Sequence, residues 1–273
     1  MKRFVLPSPL NAEGMIRLYE KDYHYLVRVR RLKAGMQFDA VLPDGTETSV
    51  RILSTVDNIL IGECLTSGQV PSEQVPSEQV PFEKPPSPIP PIALFQGLPK
   101  GSKMDLIVRQ AAEGGVSLVA PFKSEYSAVR LSDNSAEKVK RWERIVREAR
   151  QQSGSSVETV VRPPLGFDAL LEYWESLKKE YRRPIGLLLH QEPLAKGTFH
   201  DYLGNCPDFI ALAVGPEGGF SPGEVSLFLA AGWKPLLMGN TILRTETAAL
   251  YGMAAIRIIL LESESWTPKG SYF

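Results

Sequence analysis

Residues 209–225 read FIALAVGPEGGFSPGEV, and three structural signals follow one another there without a gap. The six apolar residues FIALAV have the length and composition of a strand buried on both faces. GPEGG is then a turn: Pro216 fixes one backbone angle, while Gly215, Gly218 and Gly219 can take positive φ and let a ligand approach the backbone closely. SPGE is a capping box, with Ser221 as N-cap, Pro222 at the first helical position and Glu224 three residues after the cap, so a helix begins there. A strand passing through a glycine turn straight into a helix is the repeating unit of a parallel sheet with helices on its faces. Glu217 is the residue that does not suit a phosphate loop, and neither GxxxxGK[ST] nor GxGxxG is present.

The same alternation runs outward. IALFQGL (92–98) and VSLVAPF (116–122) read as strands, with KMDLIVRQAAEGG between them as a helix ended by glycine. AEKVKRWERIVREARQQ (136–152) is amphipathic, with Trp142, Ile145, Val146 and Ala149 on one face. Lys140, Arg141, Arg144, Arg147 and Arg150 form the other, a solvated face by default and an RNA contact as the alternative. FDALLEYWESLKKE is a further helix and PIGLLLH (184–190) a strand; after DFIALAV (208–214) come the helix PGEVSLFLAAG, the strand KPLLMG (234–239) and the helix TETAALYGMAAIRIILLE. The order predicts an α/β fold over 92–273, a mainly parallel sheet covered on both faces.

Residues 67–91, SGQVPSEQVPSEQVPFEKPPSPIPP, repeat the pentad VPSEQ and hold too much proline for a helix or a central strand, so an extended linker is expected. Residues 1–66 carry short apolar stretches broken by turns, and Asp44 with Gly45 between MQFDAVL and TSVRILS is a hairpin signal, so a small β-barrel or sandwich domain is predicted. HYLVRVRRLK (24–33) interleaves Arg28, Arg30, Arg31 and Lys33 with apolar residues; it either aims guanidinium groups at phosphates or forms a solvated charged face. The 273 residues are 43% apolar, with 31 Lys plus Arg against 31 Asp plus Glu, so a large core is available and no overall field draws the chain to nucleic acid. Cys64 and Cys206 lie far apart, with no CxxC and no histidine cluster; neither a disulfide framework nor a metal is indicated, and a cytoplasmic setting is expected. The N-terminus reaches proline too soon for a signal peptide, and no apolar run approaches a membrane span, so no membrane partner is expected.

Three strand exits fall close together in the last third: His190 with Gln191 and Glu192, then GPEGGF, then GNTILRTE. Ligands of open parallel sheets bind beyond the carboxyl ends of the strands, so these loops define a pocket. In the third loop Arg244 precedes a candidate N-cap, Thr245, with Glu246 in the first helical turn. Arg244 either points into this crevice or pairs with a nearby acid.

GPEGGFSPGEV followed by LRTETAAL resembles one family, the bacterial 16S rRNA (uracil-N3) methyltransferases, the RsmE group of the SPOUT superfamily. RFVLP, HYLVRVRRLKAG, PDGTE, LPKGSKMDLIVRQAAEGGVS and RWERIVREARQQSG fall in that family's order. The resemblance implies a PUA-like β-barrel over 1–66 that helps hold ribosomal RNA, with Arg3, Arg28, Arg30, Arg31 and Lys33 as RNA-binding residues. It implies a SPOUT methyltransferase domain over 92–273 with a C-terminal trefoil knot. It further implies S-adenosylmethionine as methyl donor, a homodimer with the site near the subunit interface, and methylation of a 16S rRNA uridine at base nitrogen 3 in the decoding region of the small ribosomal subunit. Carried onto this chain, the donor pocket comprises Leu189 and His190, then Gly215, Pro216, Glu217 and Gly218, then Leu237, Met238 and Gly239, and finally Ile242, Leu243 and Arg244. Backbone groups suit the polar edges of adenine, and Leu, Ile and Met suit its flat faces.

The reaction needs positioning and stabilisation of charge on the uracil oxygens. Arg244, the only cation beside the two late loops in sequence, is the expected principal catalytic side chain. Glu217 or Glu246 then accepts the uracil proton or holds Arg244. The chain departs from the family pattern at Ser155 and Ser156, where an arginine usually follows QSG, at Thr241, where a basic residue often precedes ILR, and in the VPSEQ linker. The same pocket would serve a SPOUT enzyme acting on a ribose 2′-hydroxyl or another base. A non-catalytic RNA-binding assembly factor is the more distant alternative.

Overall fold

The computed structural model describes residues 4–11, 14–65, 89–128, 135–194 and 196–263. Arg3 and all of the expected linker before Ile89 lie outside the described residues. The chain divides into two compact units, Met1–Pro85 with Arg150–Glu158, and Pro86–Ala149 with Thr159–Phe273.

The first unit contains β1 (Phe4–Val5), β2 (Met15–Leu18), the short helix α1 (Glu20–Tyr23), a π-helical turn His24–Val29, β3 (Gln37–Val41), β4 (Glu47–Val56) and β5 (Ile59–Leu65). Its strands form one barrel-like sheet in the order β1-β3-β4-β5-β2, around a core that includes Phe4, Leu18, Leu26, Phe38, Val50, Ile52 and Leu60. The expected hairpin forms: Gly45 takes φ 85°, the Leu42 amide donates to the Thr46 carbonyl at 2.8 Å, and the Asp44 carboxylate accepts from the Thr46 amide at 2.8 Å. A second tight turn joins β4 to β5 through Asp57 and Asn58, at φ 54° and 59°, the backbone that matches the twist of two antiparallel strands. HYLVRV, one of the apolar stretches of the sequence, is the π-helical turn, closed by the Arg30 amide donating to the Tyr25 carbonyl at 2.9 Å.

The second unit runs β6 (Ile92–Gly97), α2 (Lys103–Glu113), β7 (Leu118–Phe122), α3 (Ser135–Ser153), β8 (Val160–Val161), α4 (Phe167–Glu180), β9 (Pro184–Leu189), α5 (Phe199–Leu203), β10 (Phe209–Val214), α6 (Pro222–Ala230), β11 (Lys234–Leu236) and α7 (Thr245–Ser263). The six strands lie in the order β11-β9-β10-β6-β7-β8, and every pairing is parallel. All six residues of β10 are buried, Ile210, Leu212 and Val214 on one face and Phe209, Ala211 and Ala213 on the other. On the first face they meet Ile107 of α2, Trp142 of α3 and Ile256 of α7; on the second, Trp174 of α4, Phe228 of α6 and Trp233. Burial of each large apolar side chain is worth about 1.5–3 kcal/mol, so the centre of the sheet is the most costly place to cut.

One face assignment is corrected. Arg150, placed by its spacing on the solvated side of α3, is only 7% exposed, and burial pushes its guanidinium below the ordinary value against the opposing pull of Glu158. Trp142, Ile145, Val146 and Ala149 are buried together as their spacing predicts. No described helix is long and apolar enough to cross a membrane.

Candidate active site

The exits of four adjacent strands, β11, β9, β10 and β6, converge at the carboxyl edge of the second unit's sheet. From β6 the chain moves to β7 and β8, whereas β9, β10 and β11 build on the other side, so β6 and β10 flank the point where the direction of winding reverses. Buried Gln96, at the end of β6, fastens the exits together. Its amide Nε2 donates to the Gly97 carbonyl and to Thr245 Oγ1, both at 2.9 Å, and Thr245 Oγ1 in turn donates to the Gly215 carbonyl at 2.6 Å. The Thr245 hydroxyl thus ties the start of α7 to the β10 turn.

The turn itself is held on three sides. Only Gly219 of its three glycines takes positive φ, at 71°. Gly215 is crowded, since a Cβ there would lie 3.0 Å from the Gly219 backbone, and one on Gly218 would lie 2.8 Å from the Cβ of Tyr126. Beyond the turn, the capping box forms as expected: Ser221 Oγ accepts from the Glu224 amide at 3.2 Å and Glu224 Oε2 accepts from the Ser221 amide at 3.0 Å. Glu224 also accepts from Ser124 Oγ at 2.9 Å and from the Glu125 amide at 2.8 Å, so this buried carboxylate locks α6 to the loop after β7.

Above these exits lies a cavity of about 690 Å³. Leu189 and His190 line it from β9, Gly215, Pro216 and Glu217 from the β10 turn, and Leu237, Met238, Gly239, Ile242, Leu243 and Arg244 from the β11 loop. Of the residues placed in the donor pocket by resemblance, Gly218 alone does not line the cavity and packs against Tyr126 instead. Thr241 lines it as well. Ile242 is 83% exposed, an apolar side chain that a ligand in the cavity would cover.

Glu217 does not brace Arg244. Its carboxylate accepts from Lys103 Nζ at 2.8 Å and from the Lys100 amide at 3.1 Å. Burial works to raise the Glu217 carboxyl, but hydrogen bonds from Lys103, its own amide and the Lys100 amide outweigh it and hold the group below its ordinary value. The same hydrogen bond, against a smaller cost of burial and with the charges of Glu217 and Glu246 adding to it, raises Lys103. Lys103 Nζ is 3.6 Å from Glu246 Oε2, an ion-pair distance but not a hydrogen bond, and that buried oxygen has no hydrogen-bond donor among the described residues. Arg244 is exposed at the cavity and forms no ion pair with a described residue. It is also not the sole cation there, because Lys103 lines the same cavity. Sequence reasoning passed over Lys103 and Gln96 because it followed only the last three exits; the same rule applied to β6 finds both.

The residues expected to meet RNA lie in the first unit. Arg28, Arg31 and Lys33 are exposed, Arg31 with φ 56°, whereas Arg30 is half-buried and its Nη1 is enclosed without a hydrogen-bond partner. Among the described residues no group of three or more His, Cys, Asp or Glu side chains is placed to hold a metal.

Residues 85–257 match the model of the RNA methyltransferase domain family. The chain is 32% identical to a ribosomal RNA small subunit methyltransferase E of Synechocystis sp., covering 94% of this chain and 78% of that protein. It is 29% identical to one from Borreliella burgdorferi over 95% of this chain and 98% of the other. Among solved structures it is similar to the ribosomal RNA small subunit methyltransferase E of Neisseria gonorrhoeae bound to S-adenosyl methionine, with a TM-score of 0.69, 26% identity, and coverage of 95% and 98% of the two chains. A Legionella pneumophila methyltransferase in complex with the cofactor SAM gives the same TM-score and identity over 94% of this chain and 97% of its own. With the strand exits and the glycine turn inside the matched segment, the chain belongs to the RNA methyltransferase domain family and, within it, to the ribosomal RNA small subunit methyltransferase E group.

Proposed function

We propose that the protein uses S-adenosylmethionine to methylate a uridine of 16S rRNA at base nitrogen 3, in the decoding region of the small subunit. The observation that carries this reading is the single cavity formed by the β9, β10 and β11 exits, in a chain whose relatives over nearly their whole length are ribosomal RNA small subunit methyltransferases E.

The cavity suits the donor on three counts. Its volume is in the range of sites for ligands of this size, about 300–1,000 Å³. Leu189, Leu237, Met238, Ile242 and Leu243 offer apolar surface for a nucleoside, and the turn at Gly215 offers close backbone. Glu217 is held below its ordinary carboxylate value and paired with Lys103, so this wall presents a balanced ion pair that does not oppose a cationic ligand. When bound, S-adenosylmethionine supplies a methyl group on a cationic sulfur. The chain's part is then mostly to position the two reactants and exclude water. In this reading Arg244 meets the uracil oxygens as negative charge develops on the ring. Glu217, saturated by Lys103 and Lys100, orients Lys103 at the rim.

The same reading makes the first unit a PUA-like RNA-binding domain over 1–66, with Arg28, Arg31 and Lys33 on RNA, and makes 92–273 a SPOUT domain with a C-terminal trefoil knot. A cytoplasmic homodimer belongs to it too. Leu250, Tyr251, Ile258 and Leu261 of α7 are 39–54% exposed, and at about 100° per residue they fall within one stripe about 100° wide, as a helix face that covers another does.

Mass spectrometry of 16S rRNA nucleosides from a strain lacking the gene tests the reaction. Loss of one 3-methyluridine, restored by the wild-type gene, is the expected result. An unchanged 3-methyluridine level with a missing 2′-O-methyl nucleoside would overturn the assignment of the target atom. Calorimetry that detects no S-adenosylmethionine binding would overturn the enzyme reading altogether.

A further inference from the structure

A second cavity, of about 650 Å³, lies on the first unit between the π-helical turn and the β4–β5 turn. Its walls include Tyr19, Glu20, His24, Arg28, Asp57 and Asn58. Three of the five non-glycine residues with positive φ among the described residues line it, Glu20 at 45°, Asp57 at 54° and Asn58 at 59°. The hairpin alone accounts for Asp57 and Asn58. It does not account for Glu20, which begins α1, nor for the π-helical winding that follows. Backbone in such uncommon states costs free energy and gathers at functional sites. His24 and Arg28, four residues apart in the π-helical turn, share one wall.

We propose that this cavity holds one unpaired nucleotide of the substrate RNA as an anchor, separate from the base that is methylated, and that the base it takes carries an exocyclic amino group. The proposal rests on the ribosomal RNA reading above. Each part of a nucleotide meets a matching group. Tyr19, 49% exposed, presents a ring face on which an unstacked base can lie. Arg28 and His24 are donors for a phosphate, Arg28 with a fork that matches its oxygens. Glu20, Asp57 and Asn58 supply acceptors for a base edge. Carboxylates accept from amino groups and repel carbonyl oxygens, so guanine, adenine and cytosine suit this wall. Uracil, with two carbonyls and one imino proton, suits it least. The cavity therefore selects against uracil, the base that the protein is proposed to methylate.

Fluorescence anisotropy with a labelled RNA hairpin carrying one bulged guanosine tests this. Wild-type protein is expected to bind it about tenfold more tightly than the same hairpin with a bulged uridine. Tyr19→Leu and Arg28→Gln each lose about tenfold in affinity for the guanosine hairpin. Asp57→Asn, a side chain that also tolerates positive φ, still binds but no longer distinguishes the two hairpins. Unchanged S-adenosylmethionine affinity by calorimetry and an unchanged circular dichroism spectrum show that the variants are folded. If the wild type binds both hairpins equally, or the Tyr19 and Arg28 variants stay within about twofold of it, the cavity is not a nucleotide site. If the wild type binds neither hairpin nor isolated small subunits, the ribosomal RNA reading falls as well.

Discussion

Lys103 sits where one ammonium serves two carboxylates, and this decides how Glu217 behaves. A carboxylate with three donors around it is a weak proton acceptor, so removing its charge should affect order at the rim more than chemistry. Glu217 is depressed, so its contribution to stability is present above the unfolded carboxyl value and lost as pH falls through the folded one. Lys103 is raised, so its contribution is present below its unfolded value and lost as pH rises through the folded one. The stability difference between wild type and Glu217→Gln should therefore be flat between about pH 6 and pH 9 and shrink below about pH 4.5 and above about pH 10.5, as read by urea unfolding at each pH. Because both side chains are partly exposed, solvent screens the pair and the difference stays small. Arg244→Ala should behave differently: kcat for methylation of small subunits falls about 10²–10³-fold while the thermal midpoint scarcely moves. Near-normal methylation by that variant would remove Arg244 from the mechanism.

At the scale of elements, the glycine turn is shaped by what stands behind it. A Cβ on Gly97, at the end of β6, would lie 2.6 Å from Pro216 Cδ and 2.7 Å from its nitrogen. Neither a ring nor a backbone atom can step aside cheaply, so Gly97→Ala should cost about 1–3 kcal/mol in denaturant unfolding and weaken donor binding in calorimetry by displacing the turn. Most of this architecture was legible in the sequence. FIALAV could only be a doubly buried strand, SPGE could only start a helix, and Trp142, Ile145, Val146 and Ala149 marked one face of α3. The short elements β2, β8, α1 and α5 were not legible, because two to five residues hold too little periodicity to separate from a loop. The π-helical winding of HYLVRV has no composition of its own. Arg150 was misplaced because spacing gives the face a residue shares, not what later covers it. Lys103 was missed for a related reason: its partner Glu217 is 114 residues away, and only strand order brings them together.

At the scale of the molecule, the exposed stripe on α7 is the face that the proposed homodimer would bury. In the proposed homodimer, Tyr251→Glu together with Ile258→Glu should give a monomer in analytical ultracentrifugation and lower methylation, because the site is expected near the subunit interface. A variant that remains dimeric would move the interface off this helix. The order β11-β9-β10-β6 also has a meaning in time. β11 pairs with β9 alone and α7 packs on α2, α5 and β10, so the segment that walls the cavity docks onto parts made long before it. The α2–α7 contact closes a loop of more than 130 residues, whereas β9 and β10 pair across 25, and contacts that close longer loops form later. The expected order of folding therefore has β9 and β10 paired while the cavity is still open on its α7 side. Refolding followed by pulsed hydrogen exchange should protect the amides of β9 and β10 before those of α7. Affinity for S-adenosylmethionine should appear only in that final phase, so that ligand capture reports the arrival of the carboxyl-terminal segment.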